Sequence, residues 1–458
     1  MHDLAVRGGR VVTSDGVQQA DVGIDGETIA AVAAELRGRE EIDASGCFVL
    51  PGVIDAHTHM QLPVGGMRSS DSFESGSVAA AVGGVTCIVD FTVGGAESTL
   101  AEQIEARKAE AESIAIDYSL HAEVVGGDPE PEAFVAAAEL GVRTFKFYLA
   151  YSGSGRMTND AGLLHAFRVI AALGGRAMVH AENDAVINGL TAELLAAGRT
   201  EIDALADARP AICEEEAILR AAVWARRTGV ALRVAHISSA LGLRAVEASR
   251  VWGTTIFAET CPQYLLLDRS VYGGVDGLQF AATPPLRSQP DRDALWAAAA
   301  CGSLDLIATD HCPFRREQKA AATSFVDVPK GLPGVEVLLP LLFSEGVSSG
   351  RLPVERLAAL LATGPAKALG LHPRKGEIRG GADADLVLVD PWQEETLHAD
   401  ALHMGTDFCP YEGMRVVGIP VMTLSRGLVV ARQGRFCGVA RRGRFIPQQG
   451  RRTVPCGL

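Results

Sequence analysis

The sequence predicts an α/β fold: a TIM-like (β/α)8 barrel with a small β-sandwich domain formed from both chain ends. Three observations predict it. Eight apolar, strand-like runs alternate with stretches of helical period through the middle of the chain. Both chain ends are rich in strand-like words and lack that period. Histidine, lysine and aspartate recur near the ends of several of the eight runs.

Residues 1–51 contain LAVRGGRVV, ADVGIDG, ETIAAVA and CFVLP, separated by the tight-turn words SDG and DGE. The C-terminal words ADLVLVDP and PVMTLSRGLVVARQGRF read the same way. Strand-rich pieces at opposite ends of a chain pair when a fold is inserted between them, which leaves the termini close together. The predicted division is 1–51 with 376–440 as the β-sandwich domain, 52–375 as the catalytic barrel, and 441–458 as a C-terminal tail. The barrel runs are 52–59, 85–91, 118–124, 144–150, 176–182, 232–238, 255–261 and 304–310. Between them, 100–113, 131–140, 161–173 and 214–229 carry apolar residues at i, i+3 and i+4, and several stop at a glycine. A doubly wound open sheet also alternates strands with helices. However, no glycine-rich dinucleotide word follows the first run and no phosphate-loop word occurs.

Composition narrows the function classes. With 42 Lys+Arg against 56 Asp+Glu, the net charge of −14 argues against nucleic acid or an anionic membrane surface as the main partner. A hydrophobic content of 48% with 21% charged residues is that of a globular chain, and 458 residues bury a large core. Nine scattered cysteines without a CxxC pair favour a reducing compartment, hence a cytoplasmic protein, over a disulfide framework. No apolar stretch reaches the ~18 residues of a membrane-spanning helix, and no leader pattern is expected at the start.

In a barrel of this kind the chemistry sits at the C-terminal ends of the strands. The first run ends in His57-Thr58-His59, the fourth carries Lys146, the fifth reaches His180, the sixth His236 and the eighth Asp310. Residues i and i+2 of a strand face the same side, so His57 and His59 can reach one metal ion. Any one of these groups is also an ordinary half-buried polar residue, and Asp310 is also a candidate helix cap or salt-bridge partner. Their joint occurrence at one mouth points to a metal centre. Phe145 and Phe147 flank Lys146 and face away, so Lys146 faces inward. A buried ammonium beside metal cations is costly. Three resolutions exist: a neutral amine, an ion pair with a carboxylate such as Asp310, or a carbamate formed with CO₂. Charge balance around two divalent ions favours the carbamate.

These residues and their surrounding words resemble the D-hydantoinase/dihydropyrimidinase branch of the cyclic amidohydrolases. The words are PGVIDAHTHMQLP (51–63), GVRTFKFYLAY (141–151), VHAEN (179–183), AHISS (235–239), ETCPQYLLL (259–267), TPPLR (283–287), ATDHCPF (308–314), GLPGVE (331–336) and PRKGEIRGGADADLVLVDP (373–391). The resemblance implies a binuclear zinc enzyme with two Zn²⁺ ions per subunit, bridged by a carboxylated Lys146 (N6-carboxylysine). It assigns His57, His59, Lys146 and Asp310 to one zinc, and Lys146, His180 and His236 to the other. It also maps substrate contacts onto Tyr151, Thr283 and Lys330. Relatives usually carry Asn at the position of Lys330; Lys offers only donors and a charge where Asn offers a donor and an acceptor. A homotetramer or homodimer is implied as well.

The expected reaction is hydrolysis of the cyclic amide of hydantoins or dihydropyrimidines to N-carbamoyl amino acids. Paired divalent ions lower the pKa of a water held between them. Asp310 serves as general base and then general acid, and Tyr151 donates to the developing oxyanion. GSG at 153–155 lacks the nucleophile-elbow pattern, so no serine nucleophile is expected. Two other readings use the same fold: an allantoinase or dihydroorotase, and a non-catalytic dihydropyrimidinase-like scaffold. Dihydroorotate carries a carboxylate, and Met60-Gln61-Leu62-Pro63 after His59 offers it no cation, although Arg68 follows. Selectivity is expected from rim loops 62–72, 92–99 and 151–159, with the Gly- and Ser-rich words in the first two mobile.

Overall fold

The computed structural model describes residues 1–95, 98–126 and 130–451. The N-terminal end supplies β1 (His2–Thr13), β2 (Gly16–Asp25), β3 (Thr28–Ala33), β4 (Gly38–Asp43) and β5 (Phe48–Pro51). The barrel follows with β6 (Val53–Thr58), β9 (Val85–Phe91), β10 (Asp117–Glu123), β11 (Thr144–Tyr148), β12 (Arg176–His180), β13 (Ala231–Val234), β14 (Ile256–Thr260) and β15 (Leu306–Ile307). A small ribbon, β7 (Pro63–Val64) with β8 (Met67–Arg68), rises from the rim after β6. The C-terminal end supplies β16 (Leu386–Thr396), β17 (Arg415–Ser425), β18 (Leu428–Arg432) and β19 (Arg435–Phe436).

The two ends form one nine-stranded sheet in the order β19-β18-β17-β16-β5-β1-β2-β3, with β4 alongside β1. The joint is the antiparallel β5/β16 pair, which sets Leu386 opposite Pro51 and Leu388 opposite Val49. Alternate side chains, among them Val11, Val22, Val49, Leu386 and Leu424, bury into a core of their own. Strand β4 is the element the sequence reading missed. Its segment GREEID is mostly exposed and runs parallel to β1, so it carries no apolar alternation to read.

The eight barrel strands are parallel neighbours in the order β15-β14-β13-β12-β11-β10-β9-β6. β6, β9, β10, β11 and β12 are buried along their whole length, which is why they read as continuous apolar runs rather than alternating ones. The four expected helices form as Leu100–Glu110, Pro131–Glu139, Asp160–Ala172 and Ala211–Thr228. Thr99 and Glu102 make a capping box on the first, and Gly229, at φ 75°, ends the last.

Two predicted strands stop short of their functional residues. β13 ends two residues before His236, and β15 ends three before Asp310. Both residues adopt left-handed backbone, with φ of 41° and 54°. The chain leaves the ladder there, and the turn swings each side chain into the mouth.

The rim loop 62–72 is turned at Gly65 and Gly66, and Ser69 ties it down by accepting from the Leu62 N–H and donating to the His59 carbonyl. In loop 92–99, residues 96 and 97 lie outside the described residues. The described part of the predicted tail packs under the barrel, where the Ile446 N–H donates to the Tyr118 carbonyl at 2.7 Å. Residues 452–458, with Cys456, lie outside the described residues.

A buried ion cluster joins the sheet to the barrel floor. The Lys375 ammonium meets Asp117 of β10 at 2.8 Å, Asp383 at 3.0 Å and Asp385 at 2.5 Å. Arg426 adds a bond to Asp117 at 3.0 Å. Removing the ammonium leaves buried carboxylates short of a counter-charge. Lys375→Met is therefore expected to lose about 3–5 kcal/mol of unfolding free energy, measured by denaturant titration.

Candidate active site

The predicted residues converge at the C-terminal mouth of the barrel. His57 Nε2 and His59 Nε2 each lie 3.1 Å from Asp310 Oδ1. Ligand atoms of these three residues lie close enough together to hold one metal ion. Across the mouth, His180 Nδ1 and His236 Nε2 face each other at 3.0 Å. Lys146 is buried between the two groups. Its Nζ lies 5.3 Å from the centre of the Phe91 ring, which is 4.7 Å from the His57 ring and stacks on His59 at 4.6 Å.

Protonation states of Asp310 and of three of the four histidines suit metal ligation. Burial, reinforced by the neighbouring His180 and Lys146 charges, holds the His236 pKa well below its ordinary value. Burial also lowers His180 and His59, against the pull of Glu182 on the first and Asp310 on the second. Burial opposes charge on His57, but Asp310 and Glu259 outweigh it and raise its pKa. Burial likewise opposes ionisation of Asp310, yet His57 and His59 hold its carboxyl well below the usual carboxylate range. Burial brings Lys146 down to about 8, against Glu259 and Asp310. A neutral amine, the form that reacts with CO₂, is thus accessible there.

The donor set fits divalent cations. Neutral imidazole and ionised carboxylate are the ligating forms. His59 Nδ1 and His236 Nδ1 are buried without a protein partner. A second acidic group, Asp117 with Asp383 and Asp385, has comparable spacing. Lys375 and Arg426 already neutralise it, so it is a structural cluster.

Carboxylates back two of the histidines, and the sequence reading did not single them out. His57 Nδ1 bonds Glu259 Oε1 at 2.7 Å, and Arg233 Nε donates to Glu259 Oε2 at 2.6 Å. His180 Nε2 bonds Glu182 Oε2 at 2.8 Å, and Arg209 donates to the same oxygen. Arg233 and Arg209 hold both carboxylates ionised against burial, with Glu182 at about 2. Each couple orients an imidazole and fixes which nitrogen faces the centre. The words HAE and ETC contain these glutamates, but nothing in the spacing assigns them to a histidine.

Two of the expected substrate residues, Tyr151 and Thr283, lie beside the centre. The Tyr151 ring is 4.9 Å from the His180 ring, and its hydroxyl donates to Thr283 Oγ1 at 2.9 Å. Tyr151 has left-handed backbone, φ 72°, a conformation that carries strain in a non-glycine residue. Burial raises its pKa against the Arg209 charge, so the phenol stays a donor. Lys330 is half-buried, and its ammonium donates to the Val326 carbonyl.

Residues 48–430 match the family model described as "Amidohydrolase family". The chain is 39% identical over 452 residues to a D-phenylhydantoinase of Escherichia coli O1:K1 / APEC, covering 97% of each protein. The chain belongs to the amidohydrolase family, in its hydantoinase/dihydropyrimidinase branch. A D-hydantoinase from Bacillus sp. AR9 superimposes with a TM-score of 0.95 at 37% identity, over 98% of this chain and 99% of that one. A dihydropyrimidinase from Brevibacillus agri gives 0.94 at 36% identity, over 97% and 98%. An L-hydantoinase from Arthrobacter aurescens gives 0.91 at 31% identity, over 98% and 100%. The barrel with a separate sheet from the chain ends is thus the architecture of this branch, and the chain is a hydrolase of the amidohydrolase superfamily.

The two carboxylate couples carry a prediction. Glu259→Gln keeps a hydrogen-bond partner for His57 but removes the charge. It is expected to weaken metal affinity by about 10–100-fold, read by competition with a chromogenic chelator.

Proposed function

We propose that this protein is a metal-dependent cyclic amidohydrolase that opens hydantoin and dihydropyrimidine rings to N-carbamoyl amino acids. The observation that carries the reading is the convergence of four histidines, Lys146 and Asp310 on one mouth. Its relatives are described as hydantoinases and dihydropyrimidinases, which favours it over an allantoinase, a dihydroorotase or a scaffold.

The finer parts of the reading go together. His57, His59, Lys146 and Asp310 would hold one zinc ion, and Lys146, His180 and His236 the other, with Lys146 as the carboxylated bridge. When bound, the ions would supply a water of lowered pKa and polarise the ring carbonyl. Asp310, ionised and in contact with both His57 and His59, accepts the proton of the attacking water and returns it to the departing ring nitrogen. Tyr151 donates its hydroxyl to the carbonyl oxygen as negative charge develops. Thr283, which accepts that hydroxyl in the structure, turns donor to the phenol oxygen when the phenol bonds substrate, and with Lys330 borders the substrate. The β-sandwich piece (1–51 with 376–440), the barrel (52–375) and the tail (441–458) are the proposed divisions. A homotetramer or homodimer and a cytoplasmic location complete the reading. The scattered cysteines, free among the described residues, support that location.

Chelation is expected to abolish ring opening of hydantoin and dihydrouracil, and zinc to restore it. Metal analysis should find about two ions per chain in the wild type. Lys146→Ala should lose metal and regain part of its activity with acetate or propionate, which replace the carbamate oxygens. Allantoin and dihydroorotate should be poor substrates in the same assay. Full activity from metal-free Lys146→Ala protein would sink the proposal.

A further inference from the structure

The loop that joins the Thr283 and Asp310 loops carries a positive charge, Lys330, without a carboxylate in ion-pair contact among the described residues. Three cations lie along the side that Tyr151 and Thr283 occupy. Arg209 packs 5.3 Å over the Tyr151 ring and is bonded to Glu182. Arg287 donates to the Arg209 carbonyl and, through Nε, to Ser238 Oγ at 3.0 Å; Ser238 in turn bonds Glu214 at 2.9 Å. Glu182 and Glu214 thus answer the two arginines. Lys330 has no carboxylate in ion-pair contact among the described residues, and one main-chain carbonyl, that of Val326, as its bonded partner. Asp327, whose field reaches it, is exposed and accepts from Thr323.

The backbone fixes where Lys330 stands. The next residue, Gly331, donates to the Ala281 carbonyl at 2.9 Å, two residues before Thr283. Leu332 accepts from the Cys312 N–H at 3.0 Å, two residues after Asp310. The buried Lys319 ammonium ties these loops together, donating to the carbonyls of Gln279 at 2.8 Å, Ala281 at 3.1 Å and Gly331 at 2.6 Å. Gly331 has φ 152°, and a Cβ there would lie 2.4 Å from the Cys312 carbonyl oxygen, so only glycine allows this close approach. Lys319 is thus satisfied by three carbonyls, whereas Lys330 retains two N–H donors. Burial and the Arg209 charge lower its pKa to about 8, against the field of Asp327.

We propose that Lys330 selects cyclic ureides whose ring substituent ends in a carboxylate, with the Arg209 field reinforcing the attraction. The inference rests on the ring-opening reading above and names its substrate class. A substrate carboxylate at this edge supplies the missing anion and meets an N–H donor on a half-buried ammonium. Such a charge-assisted bond strengthens with desolvation. The product would be an N-carbamoyl amino acid with two carboxylates.

The test compares hydantoin-5-acetate with its neutral isostere, 5-(carbamoylmethyl)hydantoin, on the zinc-loaded full chain. The wild type should favour the acid by about tenfold or more in kcat/KM. Lys330→Gln should bring that ratio to within about twofold of one, and Lys330→Arg should keep it. Because the ratio is taken within each enzyme, a general loss of activity cancels. High salt should compress the wild-type ratio even if a variant folds poorly. Equal turnover of the pair by the wild type, preference for the amide, or an unchanged ratio in Lys330→Gln overturns the assignment. Failure to open unsubstituted hydantoin as well would instead bring down the ring-opening reading.

Discussion

The first and last barrel strands, β6 and β15, meet across a seam that no regular ladder spans. One buried carboxylate holds it. Asp55 accepts from the Thr309 N–H at 3.0 Å and from the Thr309 hydroxyl at 2.5 Å. The His59 N–H then donates to the His311 carbonyl at 2.8 Å. Burial raises the Asp55 pKa to about 6, against the bonds from Thr309. These bonds bring residues some 250 positions apart into one edge, so that Asp310 reaches both imidazoles of the first strand. If the seam opened, the two halves of the candidate metal centre would separate. The geometry at the mouth thus depends on how the barrel closes.

Electrostatic order around the centre follows from its burial. Burial takes the charge from His59, His180 and His236, which suits ligation, while Asp310 and Glu259 favour the charged form of His57; in a neutral ring two tautomers remain. The Glu259–Arg233 and Glu182–Arg209 couples remove that freedom for His57 and His180. Each glutamate is kept ionised by its arginine. The design spends charges in matched pairs, and that is what makes the unmatched ammonium of Lys330 informative. The same logic holds at the barrel floor, where Lys375 and Arg426 face several carboxylates and lock the sheet to the barrel.

The loops at the mouth are fixed by polar stitches as well as by a small apolar cluster of Ala282, Leu332 and Phe408. His311, in the word that also holds Asp310, bonds Asp71 at 3.1 Å and accepts from the Gly334 N–H at 3.1 Å. One imidazole therefore links the rim after β6 with the loop after Lys330. Lys319 does the same for the Thr283 loop.

The eight runs, the helices between them and the strand-rich ends were legible in the sequence because side-chain periodicity is local. A buried parallel strand reads as an unbroken apolar run whatever its neighbours are. The ligand candidates were legible for a related reason, since rare polar types stand out at the ends of such runs. β4 was not legible, because a polar edge strand has no face to alternate. Nor were Glu259 and Glu182 as partners. His57 and Glu259 are separated by 202 positions, and no spacing rule relates them. The turns that swing His236 and Asp310 inward, and the charge balance that leaves Lys330 unmatched, were decided by tertiary structure alone. Sequence fixes which face each residue shares with its near neighbours; only the closed barrel decides which distant charge it meets.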